Sequence, residues 1–189
     1  MMPVEFYAMY IIVNKQKIDL IIVNLSEQQT NNNMETKQTK GLNRNTIDKY
    51  YTKDIAVELC LNLVKNHIQI TPDDLIVEPS AGNGSFIAGI KSITSNYRFY
   101  DLEPDNDEII KQDYLQYDYG NIKETFSKIH IIGNPPFGRQ SSFAIKFIKK
   151  SCEFCDSVSF ILPKSFKKDS LKKTFPLNFH LIFETDLPE

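Results

Sequence analysis

The chain has 189 residues, 41% hydrophobic and 24% charged, with a formal net charge of -2. This length and composition suit one globular domain with an appendage and exclude a largely disordered chain. The near-neutral charge says nothing for or against nucleic acid. Cys60, Cys152 and Cys155, with no signal peptide, point to a reducing compartment. The apolar stretches at 6–13 and 20–25 are too short to span a membrane. An intracellular protein, cytoplasmic or nuclear, is expected.

In chain order, residues 1–45 read as an N-terminal extension: strand-like residues at 4–25, with a hairpin around 14–16, then a polar linker at 26–45. Residues 46–189 read as the main domain. Asp54 is placed to cap a helix carrying Ile55, Leu59, Leu63 and Val64 at helical spacing. Leu75-Ile76-Val77 is a continuously apolar strand of the kind covered on both faces. Residues 97–100, 109–110, 129–132, 158–162 and 179–183 supply further strands. Helices are expected from 87, over 143–148 with Ser141 and Ser142 as caps and Phe143 and Phe147 as core residues, and over the basic stretch 165–173. The alternation argues for an α/β three-layer sandwich with a largely parallel sheet.

Two strand ends carry chemistry. After the first apolar strand comes Glu78-Pro79-Ser80-Ala81-Gly82-Asn83-Gly84, where Gly82 and Gly84 permit positive φ and close approach of a ligand to the backbone. Ile87 stands where a dinucleotide fingerprint has its third glycine, and no Gly-Lys-Ser/Thr follows, so a phosphate-cradling loop is not indicated. Asp101 ends the next strand, where a carboxylate can accept bonds from two ribose hydroxyls. Asp113 can bind an exocyclic adenine amine, with Leu115 over the ring. Alternatively, Asp101 and Glu103 are solvent-facing turn residues. The acids Glu78, Asp101 and Asp113 favour a cationic cofactor such as S-adenosylmethionine over a pyrophosphate one.

The strand at 129–132 runs into Gly133-Asn134-Pro135-Pro136-Phe137-Gly138. Two prolines end the strand, and an amide and an aromatic ring stand beside them. A surface turn is the plain reading; a clamp on a flat amino-bearing substrate is the other.

Together the motifs resemble the class I S-adenosylmethionine-dependent adenine-N6 DNA methyltransferases. Residues 77–86 resemble that family's cofactor loop, and Asn134-Pro135-Pro136-Phe137 its catalytic signature. Tyr50-Tyr51-Thr52-Lys53 resembles its additional cofactor motif. The resemblance covers roughly 50–183 and implies a Rossmann-like fold. It also implies cofactor contacts at Tyr51, Thr52, Glu78, Pro79, Ala81, Gly82, Gly84, Asp101, Leu102, Asp113, Tyr114 and Leu115, with catalysis at Asn134, Pro135, Pro136 and Phe137. The implied substrate is a flipped or unpaired adenine in nucleic acid. RNA adenine, cytosine N4, a protein glutamine and a non-catalytic cofactor-binding partner are the alternatives. Only six residues follow Phe183. The C-terminal side of the sheet is therefore expected to be incomplete and no target-recognition domain is expected, leaving recognition to the N-terminal segment, a partner subunit, a second copy or a relaxed sequence preference.

Nine bases against three acids over 139–173 suggest either a nucleic-acid backbone track or a solvated helical face. Cys152 and Cys155 have redox-like spacing but read as structural. No metal site is indicated, because His67, His130 and His180 are dispersed.

Overall fold

The computed structural model describes residues 7–15 and 52–187. Strands β1 (Tyr7–Asn14), β2 (Leu75–Glu78), β3 (Tyr97–Asp101), β4 (Ile110–Lys111), β5 (Ile129–Gly133), β6 (Ser157–Pro163) and β7 (Phe179–Asp186) form one sheet in the order β4-β3-β2-β5-β6-β1-β7. The first five in that order are mutually parallel, whereas β1 is antiparallel to both β6 and β7. The fold is α/β with a mixed sheet.

Side-chain alternation along the strands separates two cores. Ala8, Tyr10 and Ile12 of β1 join Leu75 and Val77 of β2 on one face, covered by α3 (Ser142–Cys152) through Ala144, Phe147 and Ile148. Met9, Ile11 and Val13 join Ile76 on the other face. There α1 (Asp54–His67) contributes Val57, Cys60, Leu61 and Val64, and α2 (Ile87–Lys91) contributes Ile87 and Ile90. All four residues of β2 and all five of β5 are buried, which explains why their sequences are apolar without alternation.

Several local expectations change. The segment assigned to an N-terminal extension contains an interior strand: β1 is paired along one edge with β6 and along the other with β7. The expected incompleteness on the C-terminal side is corrected by the same pairing, because β7 is eight residues long and β1 bridges it to β6. The remainder of 1–45 lies outside the described residues. Lys53, rather than Asp54, is the N-cap of α1 and offers no side-chain cap; Asp54 sits in the first turn, where its charge complements the helix dipole. Ser141 has φ 60° and does not cap α3 through its side chain. The basic stretch folds as a 3-10 turn, Lys164–Lys167, and a short helix α4, Asp169–Lys172. Among the described residues, no helix is long and apolar enough to cross a membrane.

Candidate functional site

The chain enters the sheet's parallel part at β2, moves outward through β3 and β4, and returns to β5 on the other side of β2. This reversal splays the connections after β2 and β5 to opposite sides, leaving a crevice beyond their carboxyl ends. A cavity of about 250 Å³ occupies that place. Its walls come from four segments: Pro79, Ser80 and Gly82 after β2; Asp101, Leu102 and Glu103 after β3; Gln112, Asp113, Tyr114 and Leu115 after β4; and Asn134 through Phe137 after β5. Phe143 and Phe147 of α3 complete it.

Backbone hydrogen bonds hold the loops in place. Ala81 N–H donates to the Tyr100 carbonyl at 2.9 Å, and Asp105 N–H donates to the Gly82 carbonyl at 3.0 Å. The Asp101 carboxylate accepts the Gly82 N–H at 2.8 Å through one oxygen and the Glu103 N–H at 2.9 Å through the other. Asp101 thus braces the glycine loop, and each of its oxygens keeps acceptor capacity for a ligand. Gly82 and Gly84 have φ of 57° and 88°, so the loop uses the freedom that its glycines provide. Asp113 accepts the Leu115 N–H at 3.0 Å, which fixes the turn presenting Leu115.

The loop after β5 is tied to two distant segments. Ser80 donates its hydroxyl to the Asn134 carbonyl at 3.2 Å, joining the two strand ends. The Asn134 side-chain N–H donates to Thr52 Oγ1 at 3.2 Å. This bond orients the amide, and among the described residues the buried Asn134 Oδ1 has no hydrogen-bond partner. A buried acceptor without a donor costs about 1–3 kcal/mol, so an arriving N–H group regains that energy.

A second orphan lies nearby in the fold. Glu78, at the end of β2, is 2% exposed, and its Oε2 has no partner among the described residues. Burial first, and the Asp101 charge second, push its carboxyl up to about 8. A cationic group near Glu78 would favour its ionised form, so the acidic donor set fits a positively charged cofactor.

Beyond Phe137 the chain makes an unusual turn. Gly138, Gln140 and Ser141 have φ of 67°, 53° and 60°. Two non-glycine residues in the left-handed region store strain. The turn brings α3 back onto the motif: Phe143 N–H donates to the Phe137 carbonyl at 3.0 Å. A Cβ on residue 138 would collide with the Phe143 ring, so glycine there permits the approach. Phe137 itself is half-buried, with its ring centroid 5.3 Å from that of Tyr7 in β1.

The structure therefore gathers around one cavity Pro79, Gly82, Asp101, Leu102, Asp113, Tyr114, Leu115, Asn134, Pro135, Pro136 and Phe137. Thr52 reaches it through Asn134, while Glu78, Ala81 and Gly84 support it from behind without lining it. Tyr51 lies outside the described residues. Tyr114 borders the cavity but is mainly a core residue, its hydroxyl hydrogen-bonded to Ser151 Oγ at 2.7 Å and its ring stacked on Phe147 at 5.3 Å. Sequence reasoning missed Gln112, named Ser80 only as part of the glycine loop and Glu103 only as a turn residue, and read Phe143 and Phe147 only as core. The hydroxyl of Ser80, in the same glycine loop, was the available signal. The cysteines are buried free thiols. Among the described residues, no group of three or more His, Cys, Asp or Glu is placed to hold a metal ion. No family model matches the chain and no curated protein matches it, so the resemblance to adenine methyltransferases stands on its motifs.

Proposed function

We propose that this protein is a Rossmann-like class I methyltransferase that methylates the N6 amino group of adenine in DNA, using S-adenosylmethionine. The observation carrying the proposal is the buried Asn134 Oδ1, without a partner among the described residues, at the rim of a cavity that Pro135, Pro136 and Phe137 also line. An exocyclic amine conjugated to a purine is a weak nucleophile, because its lone pair is delocalised into the ring. Asn134 Oδ1 accepts one of its N–H groups and the Pro135 carbonyl the other, which draws the nitrogen toward tetrahedral geometry and frees the lone pair. Pro136 fixes the direction of the turn, and Phe137 stacks on the base once it is unpaired or flipped.

The bound cofactor supplies a methyl group activated by a sulfonium. Asp101 and Asp113 would hold its ribose and adenine, and Glu78 would offset its positive charge, with Pro79, Gly82, Leu102 and Leu115 enclosing it. The strand order supports this reading, since the reversal between β2 and β5 puts the glycine loop and the Asn134 turn on neighbouring parallel strands. The nitrogen gains positive charge as it is methylated, so its proton can pass to water without a strong general base on the protein.

The test is incubation with labelled S-adenosylmethionine and a panel of single-stranded DNA, duplex DNA, RNA and protein, followed by product analysis. The expected product is N6-methyladenine in DNA. Label on cytosine, on RNA alone or on a protein amide would reassign the substrate. Cofactor binding without transfer to any substrate would reduce the chain to a cofactor-binding partner.

A further inference from the structure

Phe143 is at once a wall of the cavity and 39% exposed, unlike Phe147 one turn along α3, which is 7% exposed. Its backbone bond to Phe137 and its packing over Gly138 fix the two rings relative to one another. Lys146 holds its ammonium 5.4 Å from the Phe143 ring centroid. Arg139 lies on the strained turn between the rings. Both cations are exposed, and neither has an acidic partner among the described residues. Elsewhere in the basic region Lys164 and Lys167 pair with Asp186, Lys172 with Glu184, and Lys150 with Glu153. Lys149, Lys168 and Lys173 are exposed and without an ion pair among the described residues as well, but Lys146 is the cation placed over the exposed ring and Arg139 the one on the turn between the two rings.

We infer that Phe143, Lys146 and Arg139 form a platform for an unpaired polynucleotide strand, stacking the nucleotide next to the one held at Asn134 and neutralising its phosphate. This rests on reading the cavity as a nucleobase site. An aromatic face stacks any base, and a cation beside it serves the backbone, so the platform selects unpaired strands over duplex without reading sequence. The same arrangement gives a peptide carrying a glutamine no comparable match, because a peptide lacks both the second flat ring and the phosphate.

The test is anisotropy of a fluorescent single-stranded oligodeoxynucleotide containing one adenine, titrated with the full chain across a salt series. Phe143→Ala is expected to weaken binding about tenfold, and Phe143→Tyr to restore it. Lys146→Glu is expected to lower the salt slope by about one phosphate contact. Both positions are exposed, and a thermal melt checks that each of the three variants folds. Equal affinity in Phe143→Ala, or tighter wild-type binding to duplex or to a glutamine peptide, would overturn the inference. Methyl transfer measured on the same samples separates it from the proposed activity. Phe143-dependent binding without transfer keeps the platform and removes the enzyme. Transfer with Phe143-independent affinity does the reverse.

Discussion

The two ends of the parallel strands treat buried polar groups differently. At the amino ends, Asp74 precedes β2, His130 is the second residue of β5 and Ser157 opens β6, and each is no more than 3% exposed. His130 Nδ1 is hydrogen-bonded to Ser157 Oγ at 2.8 Å, its Nε2 lies 3.5 Å from Asp74 Oδ2, and that oxygen accepts the Thr71 N–H at 2.7 Å. At the carboxyl ends, Glu78 Oε2 and Asn134 Oδ1 have no partner among the described residues. Asp74 Oδ1 also has no partner among the described residues, so what separates the two ends is the cavity: of these orphans only Asn134 lines it, where a ligand can relieve the desolvation cost. The Ser–His–Asp set resembles a hydrolytic triad in composition, yet none of its members lines the cavity at the carboxyl ends, and the set serves to tie three strands together. Position on the sheet, rather than residue type, separates structure from chemistry here.

The comparison breaks most visibly at Asp74. Burial opposes its ionisation, but hydrogen bonds from His130 and Thr71 prevail and draw the carboxyl down to about 2. Asp74→Ala should destabilise the fold by about 3 kcal/mol in denaturant unfolding at neutral pH, because it removes a charged acceptor and orphans its donors. Cofactor affinity of the folded fraction should not change. The wild-type contribution of this group is present above about 3.8 and is lost as pH falls through about 2.

At the other end, Phe137→Ala should cost about 2 kcal/mol of base binding, read as a raised KM for the nucleic acid with near-normal cofactor affinity. Parallel losses of cofactor binding and of melting temperature would show instead that its contact with Tyr7 is the dominant role.

A smaller, pH-dependent effect belongs to Glu78. The unfolded chain releases this proton near 4.5 and the folded chain near about 8, so between those values only the folded state holds it. That contribution to stability is full below 4.5, declines as pH rises, and is gone above about 8. Glu78→Gln should flatten the decline in a pH series of unfolding free energies. A wild-type profile with the opposite slope over that window, unaltered by Glu78→Gln, would contradict the account.

Much of this contrast was legible in the sequence because it is local. Continuous burial makes β2 and β5 apolar, and the glycine and proline loops announce where each strand must stop. The continuous apolar run of β1 carried the signal of a strand buried on both faces, but its position was not legible, since its partners lie about 150 to 180 residues away. The acids on β7 that neutralise Lys164, Lys167 and Lys172 were hidden because they belong to a different element, whose placement beside those lysines only the folded sheet fixes. Phe143 looked like core because helical spacing identifies an apolar stripe without saying what it faces. Its exposure depends on the left-handed turn at 138–141, where Gln140 and Ser141 adopt a conformation that their residue types do not favour.

The central claim is that Asn134 Oδ1, which has no partner among the described residues, receives the substrate amine. Asn134→Ala, measured in a single-turnover methyl-transfer assay on adenine-containing DNA alongside calorimetric binding of S-adenosylmethionine, tests it directly. The account predicts a loss of at least about 100-fold in transfer, equivalent to about 3 kcal/mol, with cofactor affinity retained. Undiminished transfer by the variant would contradict it.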